Sequence, residues 1–305
     1  MDNAILDPSL IRNKEKRQEV NARRKQLINL IKKKAKLRRK KEEAVDPKKR
    51  EARLQKNVPK TLENTREHDE TMVDADDEEV MQDEQHDEFS PYFERAVPPK
   101  IVITTSLGAS APVYEIAQEF TQIFPNAEFV KRKPNYDIKH MVKFASNRAY
   151  TDLIILNEHR KEVNAVTVIH LPEGPTMHFK LTNFIPGKAI HNHGRVDPFE
   201  PELVLNNFNT RLGHQVGRQL ASLFPLQPQF KGRQVCTFHN QRDFIFFRRH
   251  RYVFRDGERA DLQELGPRFT LKLQWVQKGT FDTKYGDYEW KWAPDMQTSR
   301  RRFFL

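Results

Sequence analysis

The sequence predicts an α/β domain made of two related halves, preceded by an N-terminal extension that is disordered or only partly helical. Three observations carry this expectation: an abrupt division of charge along the chain, apolar runs that begin only near Pro98, and strings of residues that recur about 90 to 100 positions apart. The 305 residues hold 53 Lys and Arg against 42 Asp and Glu, a net charge of +11. Hydrophobic residues make up 37% and charged residues 31%, so a large part of the chain is solvated. No apolar run approaches the roughly 18 residues of a membrane-spanning helix, and MDNAILDPSL lacks the basic-then-apolar order of a secretory signal. Secretion and membrane insertion are therefore not expected. The single cysteine, Cys236, excludes an intrachain disulfide and a zinc site built on Cys pairs, which fits a reducing intracellular compartment.

Residues 11–60 contain 21 basic and 6 acidic residues, net +15. Their densest run, Lys32 to Lys41, places Lys32, Lys33, Lys34, Lys36, Arg38, Arg39, Lys40 and Lys41 within ten positions. The apolar residues here (Leu27, Ile28, Leu30, Ile31, Leu37) are too few to cover a helix face, so the arm of residues 1–60 is expected to be helical only when bound. Its functional reading is a nuclear import signal combined with an RNA-clasping arm; the plain alternative is a solvated tail. Residues 61–95 reverse the sign, with 2 basic and 14 acidic residues, and are expected to form a disordered linker with almost nothing to bury. That linker has the charge to screen the arm until RNA competes. Residues 96–305 carry net +10 and form the folded domain.

Within that domain, Ile101 to Ile103 predict a strand, and Ser106 to Ser110 a loop leading into a helix. Ile116, Ala117, Phe120, Ile123 and Phe124 recur at helical spacing and Pro125 ends the run. Asp152 to Leu156, Val163 to Leu171 and Met177 to Leu181 read as strands, the last two paired across Pro172 to Pro175. A second helix is expected from Leu205, Phe208, Leu212, Val216, Leu220 and Leu223, again ending in Phe-Pro. The two Phe-Pro endings lie 100 residues apart; Asp152 to Arg160 matches Asp243 to Arg251 at an offset of 91; Gly174 to Leu181 matches Gly266 to Leu273 at 92. The halves are thus placed at about 96–190 and 200–290, with about nine residues fewer in the second where the first has Phe129 to Asn147. An aromatic and basic tail covers 279–305; Tyr288, Trp290 and Trp292 share a strand parity suited to core closure, and Phe303 to Leu305 suggest a protein contact.

The stretch from Gly232 to Arg255 is the most informative for chemistry. Strict alternation puts Arg249, Arg251, Val253 and Arg255 on one side of a strand, with His250, Tyr252 and Phe254 on the other. One side is expected to pack and the arginine side to meet phosphates, with Phe238 or Tyr252 stacking on unpaired bases. Arg242 and Arg248 in the same stretch, Arg211 and Arg218 on the second helix, and Lys131, Arg132 and Lys133 in the first half extend the candidate RNA-binding set. The plain alternative is a half-buried strand whose arginines keep it soluble. No phosphate-loop pattern accompanies Ser106 to Ser110, so a turn and helix cap is expected there. His191 and His193 lack a second ligand cluster and read as a surface loop, and Cys236 reads as a small core residue. His159 and His250 recur through the repeat as a structural pair. No acid, base and nucleophile set emerges, so no cofactor, metal or small-molecule substrate is expected.

The strings LNNFNTRLGH (205–214), FHNQRDFIFFRRHRYVF (238–254), ELGPRFTLKL (264–273) and KGTFDTKYGDYEW (278–290) resemble those of the Brix-domain family, and the likeness runs from Pro99 to Leu305. The resemblance implies a two-half domain similar to the anticodon-binding domain of some tRNA synthetases. It implies a nucleolar, non-catalytic factor that binds precursor rRNA, pairs with a smaller companion assembly factor and meets other pre-ribosomal proteins. These strings resemble the branch associated with the large (60S) subunit, although a sibling branch serving the small subunit shares the GPT and GPRF strings. The stretch around Gly232 to Phe254 corresponds to a family segment likened to a sigma-factor nucleic-acid contact. Two other readings are kept in view: a chiefly protein-binding scaffold whose RNA contacts come only from the arm, and an RNA-cleaving enzyme that would depend on His191.

Overall fold

In the computed structural model, residues 11–73, 77–95, 98–255, 257 and 259–305 are described, so Asp74 to Asp76 of the acidic stretch lie outside them. Residues 1–65 and 66–305 form separate units. The first unit consists of helices α1 (Lys14–Val45) and α2 (Pro47–Lys56). Asn13 caps α1 by accepting from the amides of Glu15 and Lys16, and Asp46 caps α2 through Lys48. Neither helix buries a residue. Capping, (i, i+4) pairs such as Glu19 with Arg23, and good helix formers sustain α1 in place of packing.

In the second unit the acidic segment is not a bare linker. Residues 78–95 form helices α3 (Glu78–Gln85) and α4 (Ser90–Arg95), and Val80, Phe89 and Tyr92 are buried. The expectation of disorder counted charges and overlooked these few anchors: Phe89 is fully enclosed in the core and Tyr92 donates to the carbonyl of Phe224.

Residues 98–305 build one mixed sheet. The first half runs β1 (Ile101–Thr105), α5 (Ala111–Ile123), β2 (Ala127–Phe129), α6 (Ile138–Ser146), β3 (Asp152–His159), β4 (Glu162–His170) and β5 (Thr176–Ile185). The second runs β6 (Glu202–Asn206), α7 (Arg211–Ala221), β7 (Gln234–Gln241), β8 (Phe244–Phe254), β9 (Ala260–Glu264) and β10 (Arg268–Gln277), followed by β11 (Tyr288–Lys291). The strand order is β2-β1-β3-β4-β5-β10-β8-β7-β6, with β11 beside β10 and β9 beside β8. The halves join through antiparallel β5 and β10. Each half opens with a parallel pair, β1 with β3 and β6 with β7, linked over a helix.

The two halves follow the same strand topology, but the middle match of the sequence reading is corrected. Topology equates β3 with β7 and β4 with β8, not β3 with β8. The two-residue hairpin turns confirm this: Arg160 and Lys161 join β3 to β4 with positive φ, as Arg242 and Asp243 join β7 to β8, 82 residues on. His159 and His250 are therefore not equivalent. Relative to the offset of 100 at the helices, the second half lacks 18 residues, which removes β2 and α6 altogether. The β9 excursion then brings the offset at β5 and β10 to 92.

The second helix also starts later than its apolar spacing predicts. Leu205 belongs to β6, Asn207 breaks the run at φ 63°, and Thr210 caps α7 by accepting from the Gly213 amide. Helices α5 and α7 cover one face of the sheet, burying Val113, Ala117, Phe120 and Ile123 on α5, and Val216 and Leu220 on α7, against Ile101, Ile154, Phe179, Phe238, Phe247 and Phe269. Helix α6 covers the opposite face of the first half, where Val142 and Ala145 meet Val102, Leu153, Ile155, Ile169 and Leu171. In the tail, Trp290 packs on the main core while Tyr288 is exposed. Phe303 and Leu305 are buried, and the amides of Phe304 and Leu305 donate to Asp243, so this terminal string is an internal contact.

Candidate nucleic-acid interface

Strand β8 alternates as the sequence predicts, but the side assigned to solvent is the inner one at its centre. Arg249 is 2% exposed, and its guanidinium donates to the carbonyl of Gln122 at the end of α5 and to Gln234 Oε1 at 2.8 Å on β7. Burial pushes its pKa below the usual arginine range. Arg249 is thus a tie between sheet and helix, and it is withdrawn from any surface ribbon. Arg251 pairs with the Asp197 carboxylate and donates to the Arg195 carbonyl at 3.1 Å. Arg255 is well exposed but pairs with Asp261 of β9. The expected row of guanidinium groups is therefore broken at Arg249, while Arg251 is partly covered and Arg255 stays exposed beside Asp261; the carboxylates come from a long loop and an added strand that the local pattern cannot reveal.

The α7 arginines are engaged as well. Arg218 holds Asp87 in a two-point contact, donates to the Glu84 carbonyl at 2.9 Å, and lies 4.6 Å from the Phe93 ring centre. Arg211 pairs with Glu79 at 2.8 Å. His214 Nδ1 lies 2.8 Å from Glu84 Oε1. The acidic segment therefore acts as a strap across α7. Val80, Phe89 and Tyr92 are the sequence signal for it, the buried apolar residues in an otherwise charged stretch.

Other candidates remain accessible. Arg242 sits exposed at the tip of the β7–β8 turn, 5.9 Å from the Phe303 ring centre. In the loop after β2, Lys131 and Lys133 are exposed, whereas Arg132 donates to the Tyr136 carbonyl at 2.9 Å and is largely buried. On α1, Lys32, Lys33, Lys34, Lys36, Arg38, Arg39, Lys40 and Lys41 are all exposed; Arg38 and Arg39 meet Glu42 and Glu43 at 3.4 and 3.6 Å. Pairs this exposed leave most of the positive potential intact.

Arg248, on the opposite side of β8 from Arg249, is half-exposed. It faces Glu264, which also holds Arg268 in a two-point contact, and both arginines lower the Glu264 pKa, Arg268 foremost. This outer side also presents Phe244, Phe246, His239, Lys272 and Lys180, none of which the sequence reading selected. Their signal was the same alternation, read for the other parity.

The residues weighed for catalysis behave as packing and loop residues. Cys236 is fully buried and its thiol is pushed up to about 12 by that burial. His191 and His193 are exposed on the loop before β6, and no group of three or more metal-binding side chains occurs among the described residues. Ser110 precedes α5 without a side-chain cap; its amide donates to Glu158 at 2.7 Å. No described helix is long and apolar enough to cross a membrane.

The fold is a mixed α/β sheet in two halves, and comparison with known proteins places it. The Brix domain family model matches residues 106–275, and the chain belongs to that family. Within it, the chain is 50% identical over 301 residues to ribosome production factor 1 of Pongo abelii, covering 97% of this chain and 84% of that one. It is 48% identical over 300 residues to ribosome production factor 1 of Saccharomyces cerevisiae, covering 97% of each. A solved structure of a probable ribosomal biogenesis protein from Aeropyrum pernix K1 aligns with TM-score 0.44 and 14% identity over 57% of this chain and 96% of its own.

Proposed function

We propose that the protein is a non-catalytic ribosome biogenesis factor of the nucleolus that binds precursor rRNA of the large subunit and works beside a smaller companion assembly factor. The ribosome production factor 1 relatives at about half identity over nearly the whole chain support the assembly role. The observation that carries RNA binding is α1, whose eight cations between Lys32 and Lys41 are all exposed on a helix that buries nothing. A polyanion gains affinity there by releasing counterions, a term that depends on charge density and needs no built pocket. The basic arm also supplies the density of an import signal. Lys131, Lys133 and Arg242 add charge from the folded unit.

The test is binding of the full chain to transcribed precursor rRNA fragments over a range of salt. Changing Lys32, Lys33, Lys34 and Lys36 to Glu is expected to weaken binding by about tenfold or more and to flatten the salt dependence. Unchanged affinity and slope would remove the arm from the interface. Crosslinking followed by sequencing of the bound RNA identifies the target: recovery of small-subunit precursor would move the protein to the sibling branch. A protein-binding scaffold with RNA contacts only from the arm is favoured by one observation, the internal pairing of Arg249, Arg251 and Arg255. It predicts that no substitution in residues 98–305 alters RNA affinity.

A further inference from the structure

The loss of α6 leaves the second half with a sheet face that its twin keeps covered, and the residues on that face have changed accordingly. Strand pairing equates Leu153 and Ile169 of the first half with Val235 and His250 of the second: Leu153 and Val235 stand equally far before the turn, and Ile169 and His250 are their direct cross-strand partners, the extra residue in β4 being taken up by a bulge. The amide two residues further along supports the alignment: Leu171 donates to the Thr151 carbonyl as Tyr252 donates to that of Arg233. By the same register Val102 becomes Glu202 and Ile155 becomes Thr237. Four of the five apolar positions beneath α6 are thus polar or amphipathic where α6 is missing. A face awaiting an apolar helix would have kept them aliphatic.

Further along the same face, cations and aromatic rings alternate. Phe244 is 39% exposed and directly opposite Lys272, which in turn is directly opposite Lys180. Two ammonium groups paired across neighbouring strands repel each other; the Lys272 pKa is lowered chiefly by burial, with Asp243 opposing the shift and Lys180 adding to it. Lys272 is flanked by rings, 5.2 Å from the centre of Phe244 and 4.5 Å from that of Trp292. One row over, Phe246 lies between His239 and Thr270. Next to it, Arg248 and Arg268 share the one carboxylate of Glu264. Four cations therefore sit around two phenylalanine rings on a half-exposed sheet face, with one acidic partner among the described residues within ion-pair reach of them. Like charges kept together on an open face call for a polyanion, and exposed rings beside them call for flat, stackable groups.

We infer that the outer face of β5, β10, β8 and β7, centred on Phe244, Lys272 and Lys180, binds an unpaired stretch of RNA, with bases on the phenylalanine rings and backbone phosphates on the lysines and Arg248. This rests on the RNA-binding role proposed above and adds a second, strand-selective contact to the arm's general one. Duplex RNA offers no free base faces, so the site discriminates between the two forms.

The experiment measures anisotropy of a short fluorescein-labelled oligouridylate, and of a labelled RNA duplex, with the full chain and variants. Phe244→Ala and Lys180→Glu are each expected to weaken oligouridylate binding by about tenfold while duplex binding changes less than twofold. Phe244→Trp restores binding, and its emission is quenched on adding oligouridylate. Thermal melts of the three variants matching the parent exclude unfolding as the cause; Phe244→Trp serves as the test by its quenching if Phe244→Ala melts early. Parental oligouridylate affinity in Phe244→Ala and Lys180→Glu, with no quenching in Phe244→Trp, overturns the inference and leaves the face to an acidic polypeptide. An equal loss for duplex and oligouridylate overturns it too. Failure of the proposed function looks different: the parent chain would bind neither RNA.

Discussion

The two halves share a ladder of strands and the two-residue turns that register it, yet one is sealed on both faces and the other on only one. In the first, α6 presses Val142 and Ala145 onto Leu153, Ile155 and Ile169; in the second, the equivalent positions are half-exposed and largely polar. A duplicated unit can shed a covering helix only if the sheet beneath it becomes wettable, and the freed face is then available for recognition. On this side of the sheet the first half is therefore the drier and the second the more accessible.

The sharpest way to break this comparison is to delete the same volume from both halves. Leu153 is fully buried, so Leu153→Ala is expected to cost about 3 kcal/mol, from lost transfer energy and the cavity left beneath α6. Val235, its half-exposed counterpart, is expected to cost less than about 1 kcal/mol when changed to Ala, because water reaches the vacated space. Urea midpoints at unchanged m decide it. Equal losses would mean that the outer face of the second half is as dry as the first, which would also undercut its reading as a binding surface.

A smaller effect sharpens the contrast on the other face. There the second half has the extra cover, because the acidic strap ties Asp87 to Arg218 on α7 and seats Phe89 in the core. Asp87→Ala leaves a partly buried guanidinium short of its partner and is expected to cost about 1 to 2 kcal/mol. Amide hydrogen exchange checks where the loss falls. Residues 78–95 should exchange faster while β3 and β4 keep their protection; uniform acceleration would make the strap an integral part of the core.

How much of this was legible in the sequence depended on the reach of each contact. Strands β3, β4 and β5 and helix α5 follow from local periodicity, since alternation and helical spacing are local consequences of backbone geometry. The start of α7 was misplaced because Leu205 and Phe208 extend its apolar spacing, while the turn at Asn207 and the Thr210 cap that truncate it are one-residue signals. The repeat was visible through Phe-Pro and Gly-Pro strings, but Asp152 and Asp243 were paired by identity, and only hydrogen-bond register shows that the former begins a strand and the latter ends a turn. For the site, the parity of β8 was readable and its facing was not. Which side is inside is decided by the end of α5 reaching Arg249 through Gln122, 127 residues away in sequence. Asp197, Asp261 and Asp87, which pair with Arg251, Arg255 and Arg218, are likewise brought in by tertiary structure alone.

The smallest expected effect concerns protons at the seam between the halves. His178 on β5 stacks on Trp275 of β10 with ring centres 4.9 Å apart, and its Nδ1 lies 2.8 Å from Thr167 Oγ1 on β4. Burial pushes its pKa below the ordinary histidine value of about 6.5, so the folded protein favours the neutral ring. In the unfolded chain the ring takes up a proton near its ordinary value, and in the folded state only at lower pH. Between those two points the unfolded state binds more protons, so stability is complete above the ordinary value and is lost as pH falls toward the folded one. His250 of the second half is shifted the same way, again chiefly by burial, with nearby Glu264 opposing the shift and Arg248 and Arg268 adding to it. His178→Gln should therefore flatten part of the fall in urea midpoint between neutral and mildly acidic pH, and His250→Gln should flatten less of it because its ring faces that carboxylate on the open side. If His250→Gln has the larger effect, the open half rather than the seam holds the more desolvated ring, and the division between a dry half and a wet one has been drawn in the wrong place.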